Sequence, residues 1–244
     1  MLQTQTDGWP VALQLAASLI GSTGVDAALR GSGEFSRAMA SYLPEDVLAR
    51  LPSSQLHFLL QTALFETFCA AMCNAVLERE DSLVLMQKIE RENILLFAVE
   101  SEGVDWYEYH PLFLSFLRNQ SGAPAGEIAN ELHVKTAQWL AGEGRLIQAI
   151  RHALAARAVE LAAKWMALCA SEMINTGQID TLAGWVDSTP EYLLETHPHL
   201  AISGAYAMAI RHRHSAALRL IDIAERVAAS DPQVASELVG ARLA

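Results

Sequence analysis

Apolar residues recur at helical spacing from the start of the chain. In GWPVALQLAASLIG, Gly8 to Gly21, the residues Leu13, Ala16, Ala17 and Ile20 follow three- and four-residue steps, and Pro10 suits a first helical turn. A Gly/Ser-containing stretch from Gly21 to Gly33 reads as a hinge or linker. From Glu34 to Asn93 the helical period resumes in short pieces. SRAMASYL is followed by PEDVLARLP, with Pro44 at a start and Pro52 as a stop or new start. SSQLHFLLQTAL opens on a serine cap, and Phe65 to Val76 is expected to be helical, with Phe65, Phe68, Cys69 and Met72 on neighbouring faces. Asp81 or Ser82 then caps LVLMQKIERENI.

The period changes at Leu95. LLFAVE and WYEYH are short β-favouring runs separated by a turn containing Gly103, so Leu95–Val99 and Trp106–Tyr109 are expected to form one small antiparallel hairpin. Pro111 opens another helix, PLFLSFLRNQ. Several short helices followed by a hairpin is the layout of a winged-helix module. A polar break from Ser121 to Glu127 marks the main boundary.

Beyond it the pattern is helical: Ala125–Ala141 ending at Gly142, Leu146–Ala155, Ala158–Thr176 ending at Gly177, Ile179–Val186, Ala201–Arg211, Ser215–Ala229 and Pro232–Leu243. Within Ala158–Thr176, Val159, Ala162, Met166, Cys169 and Met173 form one apolar stripe, and Leu161, Trp165 and Leu168 a second, as in a helix sandwiched between neighbours. Ser215–Ala229 carries a single stripe of Leu218, Ile221, Ala224 and Ala228. Paired helices with Gly or Pro turns and Ala-rich contacts predict an α-solenoid of the tetratricopeptide type, although the strict repeat consensus is absent. The stretch Gly240–Ala244 brings no polar capping helix, which reads as a solenoid cut short.

Composition narrows the function. The 244 residues are 52% hydrophobic, enough to offset chain entropy in one large or two modest domains. With 17 basic and 28 acidic residues, the net charge is −11, so direct nucleic-acid contact by this chain is not expected. No apolar run long enough to cross a membrane and no signal peptide are visible, so no membrane contact is expected. Three cysteines, Cys69, Cys73 and Cys169, fit reduced thiols in a cytoplasm better than a disulfide framework.

Candidate chemistry is sparse. There is no GxxxxGK[ST] phosphate loop, and the GSG at Gly31–Gly33 lacks a preceding strand. Cys69 and Cys73 lie four apart but have no partner pair at zinc spacing. His197/His199 and His212/His214 read as surface histidines, because two imidazoles rarely complete a metal site. No nucleophile elbow occurs. No catalytic residue and no metal ligand is assigned, and the chain is not expected to be an enzyme.

Three segments in a fixed order carry more information: TDGWPVALQLAA at Thr6–Ala17, YLPEDVLARLP at Tyr42–Pro52 with FLLQTALFETFCAAMCNAV behind it, and WYEYHPLFLSFLR at Trp106–Arg118. DSLVLMQKIERENI at Asp81–Ile94 and HxxxAxWLAxxG at His133–Gly144 accompany them. Together they resemble the middle of MalT-like regulators, the large ATP-binding LuxR-family transcription activators of the STAND class. The resemblance spans nearly the whole chain, and YHPLFxxFLR is its most specific motif.

The resemblance implies roles for two residues. In STAND proteins a glycine-x-proline segment closes the nucleotide domain with its proline near the adenine, and Gly8-Trp9-Pro10 matches that segment. A histidine after the winged-helix hairpin contacts the β-phosphate of ADP and helps to hold the off state, and His110 matches that position. An imidazole at a helix N-terminus suits an anion already favoured there.

The implied organisation is a mainly α fold in three parts. Residues 1–33 end an ATPase helical region, 34–120 form a winged helix, and 121–244 begin a tetratricopeptide-like superhelical sensor. The implied parent binds ATP or ADP, senses a small-molecule inducer or a regulatory protein on the superhelix, self-associates and activates transcription in the cytoplasm. The chain has neither that parent's P-loop nor its DNA-binding helix-turn-helix, so no cofactor is expected for it alone. The alternative reading is a stand-alone tetratricopeptide-like adaptor for protein partners.

Overall fold

A computed structural model describes residues 48, 51–91, 96–101, 104–228 and 234. The segment around Pro10 lies outside the described residues, as does the helix expected over Pro232–Leu243, apart from Val234. The chain divides into two compact units, one ending at Pro124 and the next beginning at Ala125.

In the first unit, α1 (Ser53–Thr62) leads through a turn to β1 (Thr67–Cys69), then α2 (Ala70–Leu77) and α3 (Ser82–Arg91). The expected hairpin is present, formed by β2 (Leu96–Ser101) and β3 (Val104–Tyr109), and α4 (Pro111–Arg118) follows. The sheet is three-stranded and antiparallel in the order β1-β3-β2, so the single hairpin of the sequence reading is joined by a further strand. Phe68 pairs with Tyr107 on one side of β3, and Leu96 pairs with Tyr109 on the other.

The strand β1 corrects the helix expected over Phe65–Val76, which begins only at Ala70. Cys69 is extended (φ −126°, ψ 166°) because Thr67–Cys69 gives its backbone bonds to the open edge of β3. Three residues are too few to show a period of two.

One aromatic cluster forms the core of this unit. Phe58, Phe65, Phe68 and Phe113 are fully buried, and each such side chain contributes about 1.5–3 kcal/mol. The Tyr109 ring lies 5.1 Å from that of Phe68 and 5.8 Å, edge-on, from that of Phe113. Arg118 Nε donates to the Ala63 carbonyl (2.8 Å), fixing the end of α4 beside α1. The Asn74 side chain accepts from the Ser82 backbone N–H (3.2 Å), joining α2 to the start of α3.

The second unit is helical: α5 (Gly126–Gly142), α6 (Leu146–Ala155), α7 (Val159–Asn175), α8 (Ile179–Ser188), α9 (Glu191–Thr196), α10 (Pro198–Ile210) and α11 (His214–Ala228). Two pairs repeat. Helices α5 and α7 both have 17 residues, and α6 and α8 both have 10. Each start in the second pair lies 33 residues after its counterpart, at 126 and 159 and at 146 and 179. Burial follows the same shift. Leu132, Thr136, Ala137 and Leu140 of α5 correspond to Trp165, Cys169, Ala170 and Met173 of α7. Ala149, Ile150 and Ala153 of α6 correspond to Leu182, Ala183 and Val186 of α8. The repeat was hidden in the sequence because most corresponding core positions share burial and not residue type, as with Thr136 and Cys169. Stacked helix pairs of this kind make an α-solenoid.

The turns share one geometry. Gly144, Arg157, Gly177 and His212 all have left-handed φ (76°, 58°, 76° and 57°). After each, two backbone bonds close the preceding helix: Gly144 N–H to Ala141 and Arg145 N–H to Leu140, then Gly177 N–H to Ile174 and Gln178 N–H to Met173. Arg157 with Ala158, and His212 with Arg213, repeat this pair of bonds, which is a Schellman motif. The first of these helices stops at Gly142 as expected, and the left-handed residue that closes its turn is Gly144.

Three further details differ from expectation. Helix α10 begins at Pro198, whose fixed φ suits a first turn, and a separate short helix α9 fills the segment before it. Of the second stripe expected on α7, Trp165 is buried at one edge of a single wide face that Ala163 and Ala170 bound on the other, while Leu168 is 69% exposed. On α11 the buried positions are Ala217, Leu220, Ile223 and Ala224, and Leu218 is 61% exposed. Both helices carry more apolar residues than one face holds, and the neighbouring helix selects among them.

Candidate functional site

His110 stands between strand and helix. It follows the last residue of β3, and its carbonyl accepts the first helical bond of α4 from Leu114 N–H (2.9 Å). It is therefore the N-cap residue of α4, with Pro111 at the first helical position. Its side chain is 5% exposed and is engaged by a neighbouring group.

The residue before it is anchored firmly. The Tyr109 hydroxyl lies 2.6 Å from Thr62 Oγ1, and the Thr62 hydroxyl donates to the Phe58 carbonyl (2.7 Å). Burial pushes the Tyr109 phenol above its usual range, so it stays a neutral hydrogen-bonding group. Packed between Phe68 and Phe113, Tyr109 fixes the end of β3 and so the position of His110.

Cys69 and Cys73 are buried in the same unit. Burial, with Cys69 close by, pushes the Cys73 thiol well up, so it is a packing residue and not a thiolate. In the helical unit His197 joins α9 to α10, and burial lowers its pKa, while His199 lies in the first turn of α10. His212 and His214 are exposed at the α10–α11 turn with their rings 6.1 Å apart. Among the described residues no three His, Cys, Asp or Glu side chains converge as metal ligands.

Two features escaped the sequence reading. His133 of α5 and His152 of α6 meet with Nδ1 atoms 2.8 Å apart, so one ring donates and the other accepts. A cleft of about 290 Å³ opens between the α5–α6 turn and the end of α7. Its walls are Gly144–Gln148 on one side, and Cys169, Glu172, Met173, Thr176 and Gln178 on the other. The 33-residue correspondence is the signal for the cleft, because Arg145 and Gln178 occupy the same position after the turn glycine in successive repeats.

Comparison with known proteins places this geometry. Residues 44–127 match the MalT winged helix domain family, a span that includes β1–β3, His110 and α4. The HTH-type transcriptional regulators MalT of Vibrio parahaemolyticus and Vibrio campbellii are each 28% identical to the chain over 228 residues. These alignments cover 92% of the chain and 25% of each regulator, so the chain spans a quarter of the length of the relatives it matches. The similarity to these regulators extends into both of its units.

Proposed function

We propose that the chain is the regulatory and sensor portion of an ATP-dependent, inducer-responsive transcriptional activator in the cytoplasm. The observation that carries this reading is continuity: similarity to MalT regulators runs through the winged helix and into the paired helices without changing partner family. The winged helix supplies the restraint, the paired helices supply the sensor surface, and DNA contact belongs to a different part of the parent.

His110 is the residue assigned to the restraint. It lies at the end of β3 and at the N-terminus of α4, a place where an anion is favoured. The nucleotide, when bound by the parent, supplies a phosphate whose loss or exchange changes the balance of states. His110 is buried in the unit, so such a contact draws on a small part of its surface. Pro10 is assigned to the adenine side of the same nucleotide. ADP contact favours the closed state, whereas ATP and an inducer on the helical unit favour the open, self-associating one. This is a population shift, and the coupling between nucleotide and inducer is reciprocal.

A reporter gene under the full-length protein tests the reading. His110→Ala is expected to raise transcription without inducer by about tenfold, the effect of one lost charged hydrogen bond. Unchanged basal transcription at normal protein levels contradicts the role of His110.

A further inference from the structure

The cleft between the two repeats has a composition that selects a ligand. Its apolar floor comes from Leu146, Ile147, Cys169 and Met173. One wall includes Arg145 and the other Glu172, residues of opposite charge from different repeats. Gln178 Nε2 donates to Thr176 Oγ1 (3.2 Å), so the rim on the α7 side is held in place. Helix α6 also starts on the arginine wall without a side-chain cap.

We propose that this cleft binds a small zwitterion of the amino-acid type with an apolar side chain. The inference rests on the sensor reading of the helical unit and names the ligand class for it. Arg145 pairs with the carboxylate through its planar fork of donors, and Glu172 accepts from the ammonium group. The side chain lies on Leu146, Ile147 and Met173. At about 290 Å³ the cleft falls just under the range of roughly 300–1,000 Å³ that holds drug-sized ligands, so its occupant is small. The lining holds no aromatic ring to stack on a sugar, and its two opposite charges match a molecule that carries both.

Because the walls come from successive repeats, an occupant also couples α6 to α7. The ligand therefore acts on the relation between repeats by its differential affinity for their arrangements, as any effector must.

Calorimetric titration of the purified chain with L-leucine and L-methionine tests the proposal. Their N-acetyl and carboxamide derivatives are titrated alongside, with D-glucose as a neutral probe. Saturable binding of the free amino acids is expected, weakened by about tenfold or more in each derivative and in Arg145→Gln and Glu172→Gln. Thr176→Trp, which narrows the mouth from an exposed position, is expected to abolish binding. Absence of saturable binding up to about 10 mM overturns the proposal. So does binding that is indifferent to both charge variants, or binding of glucose alone. Neither DNA nor nucleotide enters this titration, so its failure leaves the His110 reading standing and is separable from a failure of the transcription assay.

Discussion

Gly204 sits inside α10, where that helix packs on α8 and α11. A Cβ placed there would meet Val186 Cγ1 at 2.7 Å, Val186 Cγ2 at 3.1 Å and Leu220 Cδ1 at 3.3 Å. Valine has one strongly preferred rotamer in a helix and cannot swing aside. Gly204→Ala is therefore expected to destabilise the helical unit by about 1–3 kcal/mol, in spite of the better helix propensity of alanine. Thermal denaturation followed by circular dichroism checks this, and an unchanged or raised midpoint contradicts the close approach. Single residues are also where the sequence is least legible. Leu168 and Leu218 read as core on spacing alone and are exposed, because α7 and α11 have apolar residues on more positions than their neighbours cover. Tyr109 is the opposite case: its alternation with Tyr107 marked it for the sheet, but its hydrogen bond to Thr62 joins residues 47 apart and has no local signal.

At the level of elements, periodicity carried the reading where runs were long or clearly alternating. The hairpin, α1, α3, α4 and the paired helices of the second unit follow from spacing and from Gly and Pro positions, although α1 is capped by Pro52 without a side-chain bond and not by the expected serine. Strand β1 and helix α9, of three and six residues, are shorter than the windows in which a period shows. The four Schellman turns were half visible: Gly144 and Gly177 announce left-handed backbone, whereas Arg157 and His212 do not. These two residues accept strain that glycine avoids. Arg157→Gly is expected to raise stability by about 0.5–1 kcal/mol, the left-handed penalty less the added entropy of the unfolded chain. Chemical denaturation measures it. A loss of stability contradicts strain at this turn and points to the arginine side chain instead.

For the whole molecule, the order of motifs pointed to MalT-like regulators, and that resemblance is borne out by the match to the MalT winged helix domain and by the similarity to MalT regulators. Ion pairs add detail that the sequence did not offer. Arg226 of α11 reaches Glu191 (2.5 Å) and Glu195 (2.8 Å) of α9, and Arg211 and Arg213 pair with Asp180 and Asp187 of α8. All are exposed, so they orient neighbouring helices more than they stabilise them. The winged helix was legible as a layout because its hairpin and Pro111 break the helical period. The cleft was not, since it arises only when two repeats stack. The central claim is that His110 couples this winged helix to the nucleotide state of the parent. Its most direct test is the affinity of the full-length protein for ADP and for ATP, measured for the wild type and for His110→Ala. ADP binding is expected to weaken by about tenfold with ATP binding unchanged. Equal ADP affinity in the two proteins would contradict it and return His110 to a packing residue at the head of α4.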